Sequence, residues 1–294
     1  MRIGLVDVDG HNFPNLALAR LSAWHKANGD EVEMAVPLMR YDRIYKSKVF
    51  TFTPDEYTAW MCDDIRKGGT GYGDYTTTLP AEVESMPPDL TLYPQYDFAY
   101  GFLSRGCIRK CPWCVVPRKE GAIREVDDIE HLAQGRKKVV IIDNNFLANR
   151  RGFVLDQLDK ARRLKIRIDF NQALDARLVD DEIADALAKT RWMNYIRFAC
   201  DTDAAFDSVD HAVRMVKDHG YTREFIIYVL AKDLTALSRV EKLAAIDRVN
   251  PFVMPYRNLD GDGSIANDDI KHLARWCNRV RIRKSCTFAE YMET

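Results

Sequence analysis

The chain has 294 residues, of which 47% are hydrophobic and 30% charged, and its formal net charge is −1. This composition is typical of a globular protein, and the charge does not favour bulk attraction to nucleic acid or to anionic membranes. No apolar run approaches the roughly 20 residues that cross a bilayer, and the N-terminus lacks a signal-peptide core, so we expect a cytoplasmic protein without membrane contact.

Residues 1–75 are predicted to form a small doubly wound domain with a Rossmann-like sheet. The expected elements are strands over 2–8, 31–36 and 48–52, helices over about 14–28 and 54–67, and a glycine-rich loop over 68–73. These glycines would let backbone amides approach a phosphate-bearing group, although the loop does not follow a strand as dinucleotide fingerprints do. Residues 76–95 contain four prolines and little periodicity, which predicts a linker.

A regular alternation of strands and helices follows over residues 96–294. Strands are predicted over 97–103, 138–143, 166–171, 194–200, 224–230 and 251–254, and helices over about 126–134, 150–163, 179–189, 205–218, 235–247 and 267–277. Six such units in one direction require parallel strands with outer helices. The sequence therefore predicts a (β/α)6 partial TIM barrel or a strongly curved open sheet.

The C-terminal segment alternates basic and apolar residues over 279–284. A period of two predicts an exposed edge strand that is protected by its charges. Contact of this segment with a nucleic acid is the alternative interpretation.

Three of the seven cysteines fall in the loop after the first of these six strands. Cys107, Cys111 and Cys114 are spaced three and then two residues apart, so their thiolates can converge on one metal site. Structural zinc usually takes four protein ligands, and no fourth Cys or His follows nearby. Three thiolates would leave one iron of a cubane cluster open. The other four cysteines are scattered, as buried structural cysteines usually are.

The Cys-x3-Cys-x2-Cys loop at this place resembles the radical SAM superfamily. In that family the three cysteines hold a [4Fe-4S] cluster, and the open iron binds S-adenosylmethionine. The resemblance implies that one-electron reduction releases a 5′-deoxyadenosyl radical, with a flavodoxin or ferredoxin as a typical reductant. It also implies that Trp113, the aromatic residue before the last cysteine, lies at the cofactor site. The match is tight only over residues 101–114.

The ends of the second and third strands carry the residues that the resemblance links to S-adenosylmethionine. Asp143, Asn144 and Asn145 stand where the family has Gly-Gly-Glu, and their oxygens could accept from an ammonium group. Gln172 and Arg177 resemble family residues that contact ribose and carboxylate. The alternatives are a turn at 143–144 and a salt bridge from Arg177 to Asp175 or Asp181.

Three further residues at strand ends are candidates for the substrate side of the site. Cys200 and Asp201 end the fourth strand, and Tyr256 follows the sixth. Cys200 is otherwise expected to be packed in the barrel wall. The sequence assigns none of the three a catalytic role.

A small doubly wound domain before the barrel resembles the cobalamin-binding subgroup of the superfamily. Residues 9–14, Asp-Gly-His-Asn-Phe-Pro, partly match the Asp-x-His-x-x-Gly signature, with Pro14 in place of the last glycine. The alternative is a helix cap with His11 as an ordinary loop residue. The sequence thus leaves cobalamin use open.

Three functional hypotheses follow from these patterns. The first is a radical SAM enzyme that abstracts hydrogen from a substrate the sequence does not identify. The second is a cobalamin-dependent radical SAM methyltransferase. The third is a noncatalytic binding protein stabilised by a metal or cluster.

Overall fold

The computed structural model describes residues 1–10, 13–258, 264–265 and 267–293. His11 and Asn12 of the cobalamin-type signature lie outside the described residues. In the ranges that the structure describes, we find no helix with the length and apolarity to traverse a lipid bilayer.

The N-terminal residues form a four-stranded parallel sheet in the order β2-β1-β3-β4. Its strands are β1 (Arg2–Asp7), β2 (Glu31–Met34), β3 (Arg43–Ser47) and β4 (Ile65–Gly68), and helix α1 (Leu16–Ala27) lies between β1 and β2. Asn15 caps α1 by accepting from the Leu18 amide at 3.2 Å, which satisfies one of the free amides at the helix start.

The predicted strand over 48–52 is wrong, because β3 ends at Ser47. Ser47 is paired with Asp7, the last residue of β1. Beyond that pair, the amides of Val49 and Phe50 donate to the carboxylate of Asp9 instead of to a strand. The loop after β1 therefore ends the neighbouring strand.

The predicted helix over 54–67 is also wrong, since this segment is irregular until β4 begins at Ile65. The buried ammonium of Lys46 attracts the carboxylates of Asp55 and Glu56, at 3.5 and 2.9 Å. Glu56 also accepts from the indole of Trp60 at 3.0 Å. Asp55 and Glu56 are acidic residues of the kind that begin helices, but here they neutralise the buried ammonium of Lys46.

The glycines of the 68–73 loop accommodate the chain's own backbone. Gly69 has φ +105°, and a Cβ there would lie 2.2 Å from the carbonyl oxygen of Lys48. A Cβ on Gly71 would lie 2.8 Å from the carbonyl oxygen of Phe50. The loop packs directly on residues 48–50, and this contact explains the glycines without a phosphate.

Residues 76–95 are ordered against α1. They include the short helix α2 (Ala81–Glu84), whose Val83 is buried with Leu18 and Leu21. Asp89 accepts from Ser22 Oγ at 2.7 Å and from Lys26 Nζ at 2.6 Å. The predicted domain boundaries stay predictions.

The six predicted strands and helices of the following region form at the expected places. The strands are β5 (Ala99–Gly101), β8 (Lys138–Ile141), β9 (Arg167–Phe170), β10 (Ile196–Ala199), β11 (Phe225–Ala231) and β12 (Val249–Pro255). The helices are α4 (Ile129–Ala133), α5 (Arg151–Arg163), α6 (Asp181–Lys189), α7 (Phe206–Asp218), α8 (Ala236–Ala244) and α9 (Asp268–Asn278).

These strands form two three-stranded parallel sheets, β5-β8-β9 and β10-β11-β12. Isolated parallel bridges, Ile168–Trp192 and Leu174–Phe198, connect the two sheets. One large buried cluster of apolar side chains extends through both. The architecture is α/β with parallel sheets, and its closure as a (β/α)6 barrel stays a prediction.

The predicted C-terminal strand over 279–284 is wrong, because this segment is the helix α10 (Val280–Ser285), followed by α11 (Phe288–Met292). Arg283 turns inward and donates to the carbonyl oxygens of Cys277 and Pro251, at 2.8 and 3.3 Å. The helix therefore lies at the start of β12 instead of extending the sheet.

Candidate active site

The cysteine loop is closed at its base by a short antiparallel pair, β6 (Ser104–Arg105) and β7 (Arg124–Glu125). Gly106, just before the first cysteine, has φ +87°, and a Cβ there would lie 2.2 Å from the carbonyl oxygen of Ala122. Glycine is needed at this position because the two arms of the loop touch. Helix α3 (Val116–Lys119) starts soon after Cys114.

Asp143 holds the entry to the cysteine loop. Its carboxylate accepts from the amides of Leu103 and Ser104 at 2.7 and 2.8 Å, and from Ser104 Oγ at 2.6 Å. Burial raises the pKa of Asp143 to about 7, although these three donors lower it. Asn144 accepts from the Gly106 amide at 2.9 Å. Both predicted cosubstrate contacts thus position the loop.

Asn145, the third residue of this group, reaches the first cysteine. Its Nδ2 lies 3.4 Å from Cys107 Sγ and 3.4 Å from Asp175 Oδ2, and it can donate to both. Its Oδ1 is buried and has no hydrogen-bond partner among the residues that the structure describes. A buried acceptor without a partner is costly, so this oxygen is suited to a donor that a ligand would supply.

Asp175 joins the end of the third strand to the cysteine loop. It accepts from Arg109 Nε at 3.0 Å and from Arg177 Nε at 2.6 Å. Burial raises the pKa of Asp175, but the hydrogen bond and charge of Arg177 and those of Arg109 outweigh it and lower the pKa overall. Arg177 therefore makes the predicted salt bridge with Asp175, and the Arg109 amide also lies 3.3 Å from Cys107 Sγ.

The three thiols are free and lie within electrostatic reach of one another. Burial raises the pKa of Cys114, and the charges of Cys111 and Cys107 raise it further. Burial also raises the pKa of Cys111, whereas the positive charges of Arg177 and Arg109 lower it. The pKa of both thiols is raised overall, so ligation of a metal would be needed to favour the thiolate forms.

Within the described residues, no three Cys, His, Asp or Glu side chains are gathered closely enough to hold a metal ion as they stand. Convergence of the three sulfurs therefore stays a prediction. The donor set nevertheless fits an iron–sulfur cluster in chemistry, since three free thiols on one loop are flanked by Arg109 and by the Asn145 amide.

A cavity of about 250 Å³ lies against the cysteine loop. Its walls are Lys110, Cys111, Pro112, Trp113, Cys114, Val115, Pro117, Arg118 and Tyr256. The ammonium of Lys232 lies 4.7 Å from the ring centre of Trp113 and 5.0 Å from that of Tyr256. This cation links the cysteine loop to the end of β12 through two aromatic faces.

The remaining predicted site residues are Cys200, Asp201 and Gln172. Cys200 is fully buried in the apolar core, and burial raises its pKa to about 11. Burial also raises the pKa of Asp201, whose Oδ1 accepts from the Leu230 amide at 3.1 Å. Gln172 is exposed.

Two aromatic side chains of the N-terminal region, Phe52 and Tyr75, contact arginines beside the cavity. Arg257, next to Tyr256, lies over the ring of Phe52 at 3.9 Å, and Arg118 lies over Tyr75 at 4.1 Å. Phe50 and Phe52 stack at 5.1 Å and are 46% and 43% exposed. An exposed apolar surface of this kind is typical of a ligand or partner site.

Sequence reasoning missed Lys232 and the contact of Asp175 with the cysteine loop. Lys232 lies two residues after the predicted strand over 224–230, and this position is a signal that could have identified it. The contact of Asp175 with Arg109 joins residues 66 positions apart, and no local pattern reveals such a pair.

The fold resembles two solved structures of the radical S-adenosylmethionine methyltransferase TsrM from Kitasatospora setae. One contains cobalamin and a [4Fe-4S] cluster, and the other contains tryptophan substrate and the SAM analog aza-SAM. Both have a TM-score of 0.62, with 13% and 14% identity, and cover 88% of this chain and 74% and 75% of those chains. These similarities show that the chain has a mixed α/β fold with parallel sheets like that of TsrM.

Curated sequences give a much shorter match. The ribosomal protein uS12 methylthiotransferase RimO, in two strains of Thermus thermophilus, is 33% identical over 57 residues. This match covers 19% of the chain and 13% of RimO, so the chain spans only a small part of that relative's length. No family model matches the chain.

Proposed function

We propose that this chain is a radical SAM enzyme that uses the cavity beside Cys107, Cys111 and Cys114 to act on S-adenosylmethionine. The observation that carries the proposal is the anchoring of the cysteine loop by residues 143–145. Beside Cys107, the buried acceptor Asn145 Oδ1 has no partner in the described part of the chain. When bound, a [4Fe-4S] cluster would supply one electron for cleavage of the sulfonium.

The chain's own residues would bind and orient both groups. The three cysteines would ligate the cluster, and Asn145 would donate to Cys107 Sγ with its amide nitrogen. Asn145 Oδ1 would then accept from the ammonium of S-adenosylmethionine. Asp175 would keep Arg109 and Arg177 beside the cluster, where their charges offset the negative charge of the thiolates.

Cobalamin-dependent methyl transfer is the reaction that the observations favour over simple hydrogen abstraction. The fold resembles TsrM, whose structure contains cobalamin, over 88% of the chain. Phe50, which stacks on Phe52 beside the cavity rim and is 46% exposed, offers an apolar ring to a large planar group. Bound there, cobalamin would serve as a methyl carrier.

Product analysis separates these reactions. The protein is purified without air, reconstituted with iron and sulfide, reduced with titanium(III) citrate, and incubated with S-adenosylmethionine with and without hydroxocobalamin, whose Co(I) form accepts the methyl group. Methyl transfer predicts S-adenosylhomocysteine and retention of cobalamin on the protein. Hydrogen abstraction alone predicts 5′-deoxyadenosine without cobalamin retention. Absence of both products would contradict an enzyme that acts on S-adenosylmethionine.

A noncatalytic, metal-stabilised binding protein remains the alternative from another class. In such a protein the metal holds the fold, so Cys114→Ala would lower the melting temperature steeply. For the enzyme, the same variant loses the cluster while the apolar core, which does not include the cysteine loop, keeps its melting behaviour.

A further inference from the structure

The amino-terminal edge of the parallel sheets, opposite the cysteine loop, carries a row of basic residues. Lys138 is paired with Arg167 in the ladder of β8 and β9. The Ile168 amide then donates to the carbonyl oxygen of Arg191 at 2.9 Å, and the Phe225 amide donates to that of Arg248 at 2.8 Å. Successive strands therefore bring these basic residues to one edge.

Helix α10 continues the row beyond the last strand. Arg283 donates to Asn250 Oδ1 at 2.9 Å, which places the helix at the start of β12. The segments 162–167 and 279–284 each contain four Lys or Arg residues and no acidic residue. A chain with a net charge of −1 thus concentrates positive charge at this end.

Several of these cations are available to a partner. Six are exposed, and within the described ranges none has an ion pair or a side-chain hydrogen bond: Lys165, Arg167, Arg191, Arg279, Arg281 and Lys284. The acidic residues at this edge neutralise two members of the row, Lys138 and Arg248, and leave the six cations named above unpaired among the described residues. Asp97 is paired with Lys138, Asp247 lies near Lys217 and Arg248, and Glu224 is exposed.

The position of this edge argues against a redox partner. The cysteine loop follows the carboxyl end of β5, whereas the basic row lies at the amino ends of the strands. The seven residues of β11 alone span about 20 Å. An electron donor that docked at the row would be separated from the cysteines by the depth of the sheets.

We infer that this edge, the basic row defined above, binds the phosphate backbone of a nucleic acid without reading its bases. Protein interfaces need an apolar core, and the exposed apolar side chains here, such as Tyr195 and Val280, are only about one third exposed. Unpaired cations on adjacent strands instead suit a line of phosphates. Tyr195, near Arg191, offers a ring on which a base can stack.

The test measures binding of a fluorescent 20-nucleotide single-stranded RNA, the matching DNA and its duplex to the full chain at several salt concentrations. The edge variant is Arg167→Gln with Arg191→Gln. The control variant, Arg66→Gln with Arg214→Gln, removes the same charge from exposed arginines elsewhere. Thermal melting verifies that both variants fold.

We expect salt-dependent binding by the wild type and at least tenfold weaker binding by the edge variant. The slope of log affinity against log salt should fall by about 1.4 for single strands, since each lost phosphate contact contributes about 0.7. The control should bind like the wild type. The inference is overturned if the wild type does not bind, if both variants weaken alike, or if polyglutamate binds as tightly as RNA. None of these results depends on the chemistry at the cysteines.

Discussion

The side-chain amide of Asn145 lies 3.4 Å from the sulfur of Cys107. This contact joins the end of the second strand, β8, to the first cysteine of the loop that follows β5. Asn145 Oδ1 is then buried and has no partner within the described ranges. The pair therefore connects a ligand of the proposed cluster to the acceptor proposed for the cosubstrate.

Replacing Asn145 by Ala should weaken S-adenosylmethionine binding about tenfold, because one hydrogen bond to a charged group contributes on the order of 1.5 kcal/mol. Loss of the donor to Cys107 should also lower the reduction potential of the cluster. Titration calorimetry and a redox titration measure these effects. Asn194→Ala, an exposed amide elsewhere, is the control. Unchanged affinity and potential would refute this role.

Replacing Asp143 by Asn should destabilise the fold by about 2 kcal/mol, because an amide group would face backbone and hydroxyl donors in a buried position. Urea unfolding of the metal-free protein measures the change. The control is Asp185→Asn, which removes a partly exposed ion pair with Lys189 within helix α6. It should destabilise the fold by less than about 0.5 kcal/mol. Equal costs for the two variants would mean that Asp143 does not anchor the loop.

Asp89 should make stability depend on pH in the acid range. Burial raises its pKa, but hydrogen bonds from Lys26, Thr91 and Ser22 outweigh this and hold the pKa at about 2. Since the folded pKa lies below the unfolded value, the stabilisation is present above about pH 4 and is lost as the pH falls towards 2. Asp89→Asn should thus cost on the order of 1 kcal/mol at pH 6, and less at pH 3. A cost that does not change with pH would contradict this assignment.

Two glycines of one loop provide a matched steric comparison. Gly69 and Gly73 both have positive φ, but only a Cβ on Gly69 would collide with the backbone, at Lys48. Gly73→Ala should cost about 1 kcal/mol from its backbone conformation. Gly69→Ala should cost at least about 2 kcal/mol more. If thermal or urea unfolding gives similar values, the loop does not pack on residues 48–50 as described.

The sequence predicted the repeating part of the fold well because each unit carries its own local signal. In β8, the residues Val139, Val140 and Ile141 form a buried apolar run, and the following helix α5 has helical periodicity over Arg151–Arg163. The N-terminal errors arose where distant contacts decide the structure. The strand expected over 48–52 does not form, because the amides of Val49 and Phe50 bond Asp9 after β3 has ended at Ser47. The helix expected over 54–67 is replaced by contacts with Lys46.

The C-terminal error has a different cause. Basic and apolar residues alternate over 279–284 with the period of a strand, yet Arg283 bonds carbonyl oxygens of another element and the segment is helical. In the site, the cysteines and residues 143–145 are local motifs that the sequence reveals. Their roles are less predictable from the sequence. Asp143 and Asn144 position the loop, whereas the Asn145 amide contacts Cys107 and its Oδ1 has no partner among the described residues.

The central claim is that Cys107, Cys111 and Cys114 together hold one iron–sulfur cluster with an open iron. The most direct measurement is iron and sulfide content of the anaerobically reconstituted protein, with electron paramagnetic resonance of the reduced form before and after addition of S-adenosylmethionine. We expect about four iron and four sulfide per chain, a signal that changes when the cosubstrate binds, and loss of both in each Cys→Ala variant but not in Cys286→Ala. Zinc in place of iron, or a reduced signal that S-adenosylmethionine leaves unchanged, would contradict the claim.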